Sequence, residues 1–274
     1  MSKCKRYLLL TVLCLHILPL SVAMATAWLP EKPVTFEGWL EEGDDYVTKN
    51  ELSYAILDYT NAIELDPDNA QVYYKRGMAY SRLGYCSLGI KDFSMAIKLN
   101  PKYAEAYFQR GEIYHFPSSQ KNLRNSDLAI KDYSKAIELK PSLAQAYFFR
   151  GSEYIEKDKF DLAIADYNKV IELNPDGYLS GAYYGRGQSF GFIGNYQNAV
   201  DDLKESLRLD TMNRDDKHFA LAQALELSGK KADAVKFYEL VKNAHFAQAL
   251  SVDKAKAKID ARMNGDWESY KEWL

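Results

Sequence analysis

The sequence predicts an all-α protein of about six helix pairs, and three regularities of the 274-residue chain predict it. Prolines that end helices recur with gaps of 34, 40 and 34 residues, at Pro67, Pro101, Pro141 and Pro175. Glycines recur with gaps of 34, 34, 40 and 36 residues, at Gly43, Gly77, Gly111, Gly151 and Gly187. Between these prolines and glycines, segments similar to AIKDYSKAIELKP recur. Internal repeats of this period indicate stacked supersecondary units.

Each repeat unit is predicted to form two helices. The first carries Tyr73, Gly77 and Tyr80, whose spacings of four and three place them on one helical face. The second carries apolar residues at i, i+1, i+4, i+7 and i+8 from Ala55, and ends before a proline, which cannot continue the hydrogen-bond ladder. Because neither helix can bury its apolar stripe alone, the pairs must stack on one another.

The N-terminal residues 1–25 have the layout of a secretory signal peptide. Three basic residues precede an apolar stretch that starts at Tyr7, and Ala23-Met24-Ala25 supplies the small residues of a cleavage site. Residues 26–35 are then a linker. The alternative is a retained membrane anchor, because the run from Tyr7 to Ala27 is just long enough to span a bilayer.

The 34-residue pattern resembles the tetratricopeptide repeat (TPR) family over residues 36–248. The first unit has Trp39, Gly43, Tyr46, Ala55, Tyr59, Ala62 and Pro67 at family positions 4, 8, 11, 20, 24, 27 and 32. The units are 36–69, 70–103, 104–143, 144–177, 180–213 and a degenerate 215–248. The resemblance implies a right-handed α–α superhelix that acts as a non-catalytic protein-interaction scaffold. Residues 249–274 are expected to form a C-terminal capping helix.

One departure from the family pattern recurs, an arginine at position 7 with an aspartate at position 23. The arginines are Arg76, Arg110, Arg150 and Arg186, and the aspartates are Asp58, Asp92, Asp132, Asp166 and Asp202. Guanidinium and carboxylate groups form bidentate pairs, so a series of partly buried structural pairs between helices is expected. The sequence does not decide whether each pair forms within a repeat or with the previous repeat, because both arrangements give four pairs.

Repeats 3 and 5 each have a local peculiarity. Repeat 3 has six additional residues between its helices, in the segment 115–124, and these are expected to form a protruding loop. The first helix of repeat 5 contains Gly181, Gly185 and Gly191, although glycine inside a helix costs about 1 kcal/mol relative to alanine. Close helix contact is the favoured explanation, and a bare depression beside Tyr184 and Phe149 is the other.

The resemblance implies a concave groove lined by the first helices, in which positions 2, 5, 9, 12 and 13 face a bound peptide. Position 5 forms a mostly aromatic column of Leu40, Tyr74, Phe108, Phe148, Tyr184 and Phe219, and position 9 adds Met78 and Gln188 to the expected groove. Aromatic side chains offer large contact area at low entropy cost. The alternative is that these side chains only pack against the neighbouring repeat.

Composition excludes several other functions. The net charge of −3, from 35 basic and 38 acidic residues, gives no excess of positive charge with which to bind nucleic acid. Four scattered histidines and three cysteines predict no metal site, and no cofactor or catalytic group is expected. We therefore expect an exported bacterial scaffold, in the periplasm or outside the cell, that binds a protein or peptide. A self-assembling structural protein (a homo-oligomer) and a scaffold anchored in the membrane by its N-terminal segment are the alternatives.

Overall fold

The protein is represented by a computed structural model, which describes residues 35–116, 121–209 and 214–243. The predicted signal peptide and the predicted capping helix at 249–274 lie outside these ranges. The described residues form twelve α-helices and one short 3₁₀ helix, without a strand. The helices are α1 (Phe36–Thr48), α2 (Leu52–Leu65), α3 (Ala70–Arg82), α4 (Cys86–Leu99), α5 (Ala104–His115), α6 (Ser126–Leu139), α7 (Ala144–Glu156), α8 (Phe160–Leu173), α9 (Leu179–Phe192), α10 (Tyr196–Leu209), α11 (Arg214–Leu227) and α12 (Lys231–Asn243).

The helices pack in consecutive pairs, as the periodicity predicts. An odd-numbered helix and the even-numbered helix after it lie against each other in every repeat. The chain divides into two compact units, Met1–Pro67 and Asp68–Leu274. The first unit contains the α1–α2 pair, and the second contains the five pairs from α3 to α12.

The turn between the two helices of a repeat requires a residue in the left-handed backbone region. Gly84, Gly194 and Gly229 have φ values of 79°, 81° and 84°, and Asn50 and Asp158 occupy the equivalent place with φ of 60° and 56°. Glycine, asparagine and aspartate tolerate this conformation better than other residues. The sequence therefore places at this turn the residue types that can reverse the chain there.

In the first unit, α1 and α2 are joined by an aromatic ring that lies over a glycine. A Cβ atom at Gly43 would lie 2.6 Å from the ring of Tyr59, so only glycine allows this approach. The Tyr59 hydroxyl donates a 2.7 Å hydrogen bond to Asp44. Asp58, the aspartate of this repeat, is buried on α2. Position 7 of the same repeat is Glu42 in place of arginine.

The same arrangement of ring and glycine recurs in the second unit. Phe93 lies over Gly77 and Tyr133 lies over Gly111, where an added Cβ atom would come within 2.9 Å of the ring in each case. The rings of Phe93 and Tyr133 are completely buried. Repeats 1–5 therefore join their two helices through the glycine at position 8 and the large residue at position 24, whereas repeat 6 has Ala222 at position 8.

The insertion in repeat 3 folds back onto the protein in the part that the structure describes. Lys121–Leu123 form the 3₁₀ helix, and the amide of Asn125 donates to the carbonyl of Tyr114 at 2.9 Å. Leu123 packs against a buried cluster of Cys86, Phe93 and Ile113. The expected protruding loop is therefore wrong for these residues, because an apolar side chain and a backbone hydrogen bond hold them against α4 and α5.

Candidate functional site

The first helices of the repeats form the inner layer of the second unit. α3, α5, α7, α9 and α11 each contact the next in this order, and the second helices of neighbouring repeats approach one another less closely. A stack whose first helices are closer together curves toward them. These helices therefore line the concave side of this unit, which we call the inner face.

Four of the predicted groove residues are half-buried on these helices. Tyr74, Phe148, Tyr184 and Phe219 each keep part of the side chain accessible while packing against neighbouring rings. The ring of Tyr74 lies 4.9 Å from that of Tyr103, and the ring of Phe148 lies 5.2 Å from that of Tyr178. The column therefore combines a packing role with an accessible edge.

Phe108 differs from the other members of the column, and the prediction that it lines the groove is wrong. Its side chain is 8% exposed, and its ring lies 5.8 Å from Tyr133 and 6.0 Å from Phe149. Phe149, at position 6 of the next repeat, is large enough to cover it. Phe108 is therefore a core residue, and the surface of the inner face at this level belongs to its neighbours.

The two position 9 residues of the predicted groove lie beside the column. Met78 is half-buried against the cluster that contains Cys86 and Phe93. The side-chain amide of Gln188 donates to the hydroxyl of Tyr184 at 3.1 Å. This bond orients the Tyr184 ring on the inner face.

The three glycines of α9 have two different environments. A Cβ atom at Gly185 would lie 2.4 Å from the Tyr167 ring, and one at Gly181 would lie 2.9 Å from Phe148. At Gly191 there is no atom within 4 Å of the added Cβ position. Close contact explains two of the glycines and does not explain the third.

A cavity of about 560 Å³ lies next to Gly181 and Tyr184 on the inner face. Asp216 and Lys217 from α11 also line it. Lys217 is 6% exposed, and its amine donates to the Ser180 hydroxyl at 2.8 Å. The inner face therefore has a depression beside Tyr184, but neither Phe149 nor Gly191 is among the residues that line it, so the depression does not explain the third glycine.

The recurrent arginines form bidentate ion pairs within their own repeats. Arg110 donates from Nε and Nη2 to the two carboxylate oxygens of Asp132 at 2.7 and 2.8 Å. Its Nη1 donates to Ser94 of the preceding repeat at 2.9 Å. The same within-repeat pairing joins Arg76 to Asp92, Arg150 to Asp166 and Arg186 to Asp202. Each arginine after Arg76 also bonds back to the preceding repeat, at Ser94, Ser134 and Asn168.

These pairs are structural elements that lie apart from the aromatic column. The aspartates are buried, and the arginine side chains are 16–19% exposed. The guanidinium groups also lie over aromatic rings, for example Arg186 at 5.3 Å from the Tyr183 ring centre. Removal of one partner would leave a buried charge, so the pairs fix how helices meet within and between repeats.

A buried polar group that the sequence did not predict joins repeats 3 and 4. His115 Nδ1 is hydrogen bonded to the Glu153 carboxylate, and both residues are buried. Arg124 of the insertion approaches the same carboxylate at 3.4 Å. Burial by itself raises the pKa of the Glu153 carboxyl. The hydrogen bonds from His115 and Ser126, together with the charges of His115 and Arg124, outweigh this effect and lower the pKa below its usual value. His115 and Glu153 stand 38 residues apart, and no local signal indicates that they meet.

A second carboxyl, Glu112, is half-buried on α5, one of the helices of the inner face. Burial raises the pKa of Glu112, although a hydrogen bond from Gln109 and the nearby His115 oppose this shift. Burial and nearby carboxylates, Glu112 among them, raise the pKa of Tyr74, Tyr133 and Tyr178. The charge of Glu112 therefore acts on tyrosines both of its own repeat and outside it.

Three family models match the chain along its repeats. A TPR repeat model matches residues 43–84, and two tetratricopeptide repeat models match residues 144–176 and residues 70–103, 118–143 and 180–211. The chain is a tetratricopeptide repeat protein. TPR repeats are as a class interaction modules without catalysis, so the protein is a scaffold for protein–protein interaction. No curated protein matches the chain.

Solved structures of other TPR proteins have the same fold. A crystal structure of MamA is 25% identical, with a TM-score of 0.54, and the alignment covers 78% of this chain and 97% of that chain. YrrB, described as a TPR protein with an unusual peptide-binding site, is 20% identical with a TM-score of 0.55, covering 70% and 91%. PilW, described as a type IV pilus biogenesis factor, is 16% identical with a TM-score of 0.60, covering 80% and 97%.

Within residues 35–116, 121–209 and 214–243, no three His, Cys, Asp or Glu side chains are placed to hold a metal ion. None of the helices in those ranges is both long and apolar enough to cross a membrane. Cys86, within the same ranges, is buried.

Proposed function

We propose that this TPR protein binds an extended segment of a partner protein along the inner face of repeats 2–6. The observation that carries the proposal is the column of half-buried aromatic side chains on successive first helices, Tyr74, Phe148, Tyr184 and Phe219. Each ring is held by neighbours and still offers an accessible edge. A scaffold that needed these residues only for stability would bury them as it buries Phe108.

Rigid aromatic side chains make this face suited to binding. Phe148 is fixed by contacts with Phe149, Tyr167 and Tyr178, and Tyr184 is fixed by Gln188. A ring that is already ordered loses little side-chain entropy when a partner covers it. The cavity beside Tyr184 adds a recess that a partner side chain can occupy.

We also propose that the protein works in the cell envelope and is not an enzyme. The basic and apolar layout of residues 1–25 supports export, and the small residues at 23–25 support cleavage. Fractionation of the native host tests export, and mass spectrometry of the N-terminus of the purified protein tests cleavage. A cytosolic protein with an intact N-terminus would contradict them.

Site-specific photo-crosslinking in the native host tests the inner face. Benzoylphenylalanine replaces Phe148, and a matched control replaces Tyr85, a 54% exposed aromatic residue in the turn between α3 and α4. Because an aromatic residue replaces an aromatic residue in both cases, packing is disturbed little. A discrete adduct at Phe148 that is absent at Tyr85 is expected. Equal labelling at both positions, or none at Phe148, would refute the proposal.

Self-assembly is a second candidate because of an apolar column on the second helices. Leu88, Leu128 and Leu162 occupy position 19 in repeats 2–4 and are 44%, 38% and 47% exposed. Exposed apolar side chains in a row can be covered by another copy of the chain. Light scattering over a hundredfold concentration range distinguishes the candidates, since self-assembly requires a mass that rises with concentration and falls in the Leu128→Lys variant.

A further inference from the structure

The cavity of about 560 Å³ on the inner face lies where repeats 5 and 6 meet. Three stretches of the chain line it: the loop before α9 with the first turn of that helix, the end of α10, and the first turn of α11. The half-buried ring of Tyr184 also lines it, and we call the cavity the Tyr184 pocket. Because Tyr184 belongs to the aromatic column, a segment that lies along the column can place a side chain in this pocket.

Repeat 5 lacks a side chain that the preceding repeats have at this level. Position 2 of the first helix is Gln71, Glu105 and Gln145 in repeats 2–4, and it is Gly181 in repeat 5. A Cβ atom at Gly181 would lie 2.9 Å from the ring of Phe148, so the glycine also allows α9 to approach α7 closely. A side chain the size of glutamine or glutamate is therefore missing from the wall of the Tyr184 pocket.

Most of the accessible wall of the pocket is apolar. Leu179, Leu209 and the ring of Tyr184 line it, together with Pro175 from the loop. The ring of Tyr184 is held in place, since the side-chain amide of Gln188 donates to its hydroxyl at 3.1 Å. An ordered apolar wall gains free energy when an apolar group covers it, and it loses little side-chain entropy.

The buried polar groups of the wall take part in hydrogen bonds within the protein. Lys217 is 6% exposed, and its amine donates to the Ser180 hydroxyl at 2.8 Å. The hydroxyl of Ser180 donates to the carbonyl of Ser206 at 3.0 Å, and the hydroxyl of Ser206 donates to the carbonyl of Ser180 at 2.8 Å. This network holds together α9, α10 and α11, the three helices that line the pocket.

The charges that line the Tyr184 pocket nearly cancel. Asp176 and Asp216, both exposed, contribute two negative charges, and Lys217 contributes one positive charge. The first turns of α9 and α11 line the pocket as well, and a helix N-terminus is equivalent to about half a positive charge. A cation and an anion would each meet a repelling charge nearby, so the pocket favours an uncharged ligand.

We propose that the Tyr184 pocket receives an aromatic side chain of the partner segment, from a phenylalanine, tyrosine or tryptophan. These are the largest uncharged apolar side chains, and an aliphatic side chain would leave more of the 560 Å³ unfilled. The ring packs against Tyr184, and a phenol O–H or an indole N–H donates to the exposed carboxylate of Asp176 or Asp216. This inference rests on the proposed function, because it requires that a partner segment lies along the inner face.

A peptide-display selection tests the partner chemistry. Random 12-residue peptides are selected against the protein purified from the native host, and against its Leu209→Trp variant, in which a larger side chain takes up space in the pocket. Leu83→Trp is the matched control, because Leu83 and Leu209 are 39% and 38% exposed and Leu83, in repeat 2, does not line the pocket. Circular dichroism establishes that both variants are folded.

The expected result is enrichment of aromatic residues with the wild type and with Leu83→Trp, and loss of that enrichment with Leu209→Trp. Fluorescence anisotropy of a recovered peptide should show that alanine in place of its aromatic residue weakens binding about tenfold or more, as loss of a buried aromatic side chain predicts. Leu209→Trp should weaken binding to a similar extent, and the two losses should not add. Arginine in place of the aromatic residue should weaken binding at least as much as alanine.

Photo-crosslinking locates the aromatic side chain on the protein. Benzoylphenylalanine replaces the aromatic residue of the recovered peptide, and peptide mass spectrometry identifies the residue of the wild-type protein that carries the adduct. An adduct at Leu179, Tyr184 or Leu209 is expected. This measurement needs no variant of the protein, so it tests the pocket even if Leu209→Trp does not fold.

The outcomes that would overturn the inference differ in what they say of the proposed function. Peptides without an aromatic preference, retained equally by Leu209→Trp or crosslinked elsewhere on the inner face, refute the role of the Tyr184 pocket and leave the proposed function standing. Tighter binding of the arginine version does the same. Failure of the folded wild type to retain any peptide refutes both. A wild-type homodimer that is absent in Leu209→Trp means that the occupant is a second copy of the chain.

Discussion

Replacement of Gly185 by alanine tests how tightly successive repeats are fitted together. Gly185 lies on α9, and a Cβ atom there would be 2.4 Å from Cζ and 2.6 Å from the hydroxyl of Tyr167, on the preceding helix α8. The Tyr167 ring is 2% exposed, and its hydroxyl is hydrogen bonded to Ser152 at 3.1 Å. The ring therefore cannot move away without disturbing the contact between repeats 4 and 5.

The expected effect is a net loss of stability. Overpacking of a core costs about 1–3 kcal/mol, and the short distances and the buried ring favour the upper end, about 3 kcal/mol. Alanine in place of glycine inside a helix returns about 1 kcal/mol. Gly185→Ala should therefore lower the free energy of unfolding by about 2 kcal/mol, which corresponds to a fall in Tm of about 4–8 °C for a chain of this size.

The same helix provides the control. At Gly191 no atom lies within 4 Å of an added Cβ, so Gly191→Ala should show the helix-propensity gain alone. We expect a rise in Tm of about 2–4 °C, from about 1 kcal/mol. Thermal unfolding of the wild type and both variants, followed by circular dichroism in the same buffer, measures the two effects.

Opposite signs of the two shifts are the decisive feature. If Gly185→Ala is as stable as the wild type, or if both variants shift in the same direction, the close fit of α9 on Tyr167 is refuted. A double-mutant cycle with Tyr167→Leu identifies the cause. The cost of Gly185→Ala should largely disappear when the ring is absent, because the clash is with the ring itself.

Three further predictions follow from buried groups. Arg150→Met leaves the buried Asp166 without its bidentate partner and should lower the free energy of unfolding, measured in urea, by about 3 kcal/mol. The double variant Arg150→Met with Asp166→Leu should recover most of that loss. Equal instability of the single and double variants would contradict the pairing. Burial raises the pKa of Glu112 above the usual 4.5, so its ionisation opposes folding as the pH rises from that value. Glu112→Gln should accordingly be more stable than the wild type at pH 7, with the difference vanishing below pH 4.5, and a pH-independent difference in unfolding free energy would argue against it. Cys86 is 3% exposed, so the extent of its alkylation should follow the unfolding curve. Peptide mass spectrometry locates the alkylated residue. Rapid labelling of the native protein would show that Cys86 is accessible to solvent in the folded state.

The sequence predicted the helix pairs because the information that specifies them is local and repeated. The apolar stripe of each second helix, the glycine at position 8 and the turn residue before the second helix all lie within one 34-residue unit. Gly77 and Phe93, for example, are expected to meet because a helix hairpin brings positions 8 and 24 together in every repeat. Their contact in the structure has this geometry.

The candidate site was predictable only in part. Tyr74, Phe148 and Tyr184 were assigned to the inner face from their repeat positions, and the structure leaves them half-buried there. Phe108 occupies the same position and is buried. Its exposure depends on Phe149 of the next repeat, and the size of a neighbouring side chain is not part of the repeat pattern.

The sequence by itself determined the repeat period, the helical class and the presence of arginines and aspartates in register. Only the tertiary structure decided that each arginine pairs within its own repeat and that His115 meets Glu153. The physical reason is the range of the interactions. Contacts inside a repeat follow from helix geometry, whereas contacts between repeats depend on how closely consecutive units stack, and that is set by the side chains that pack between them.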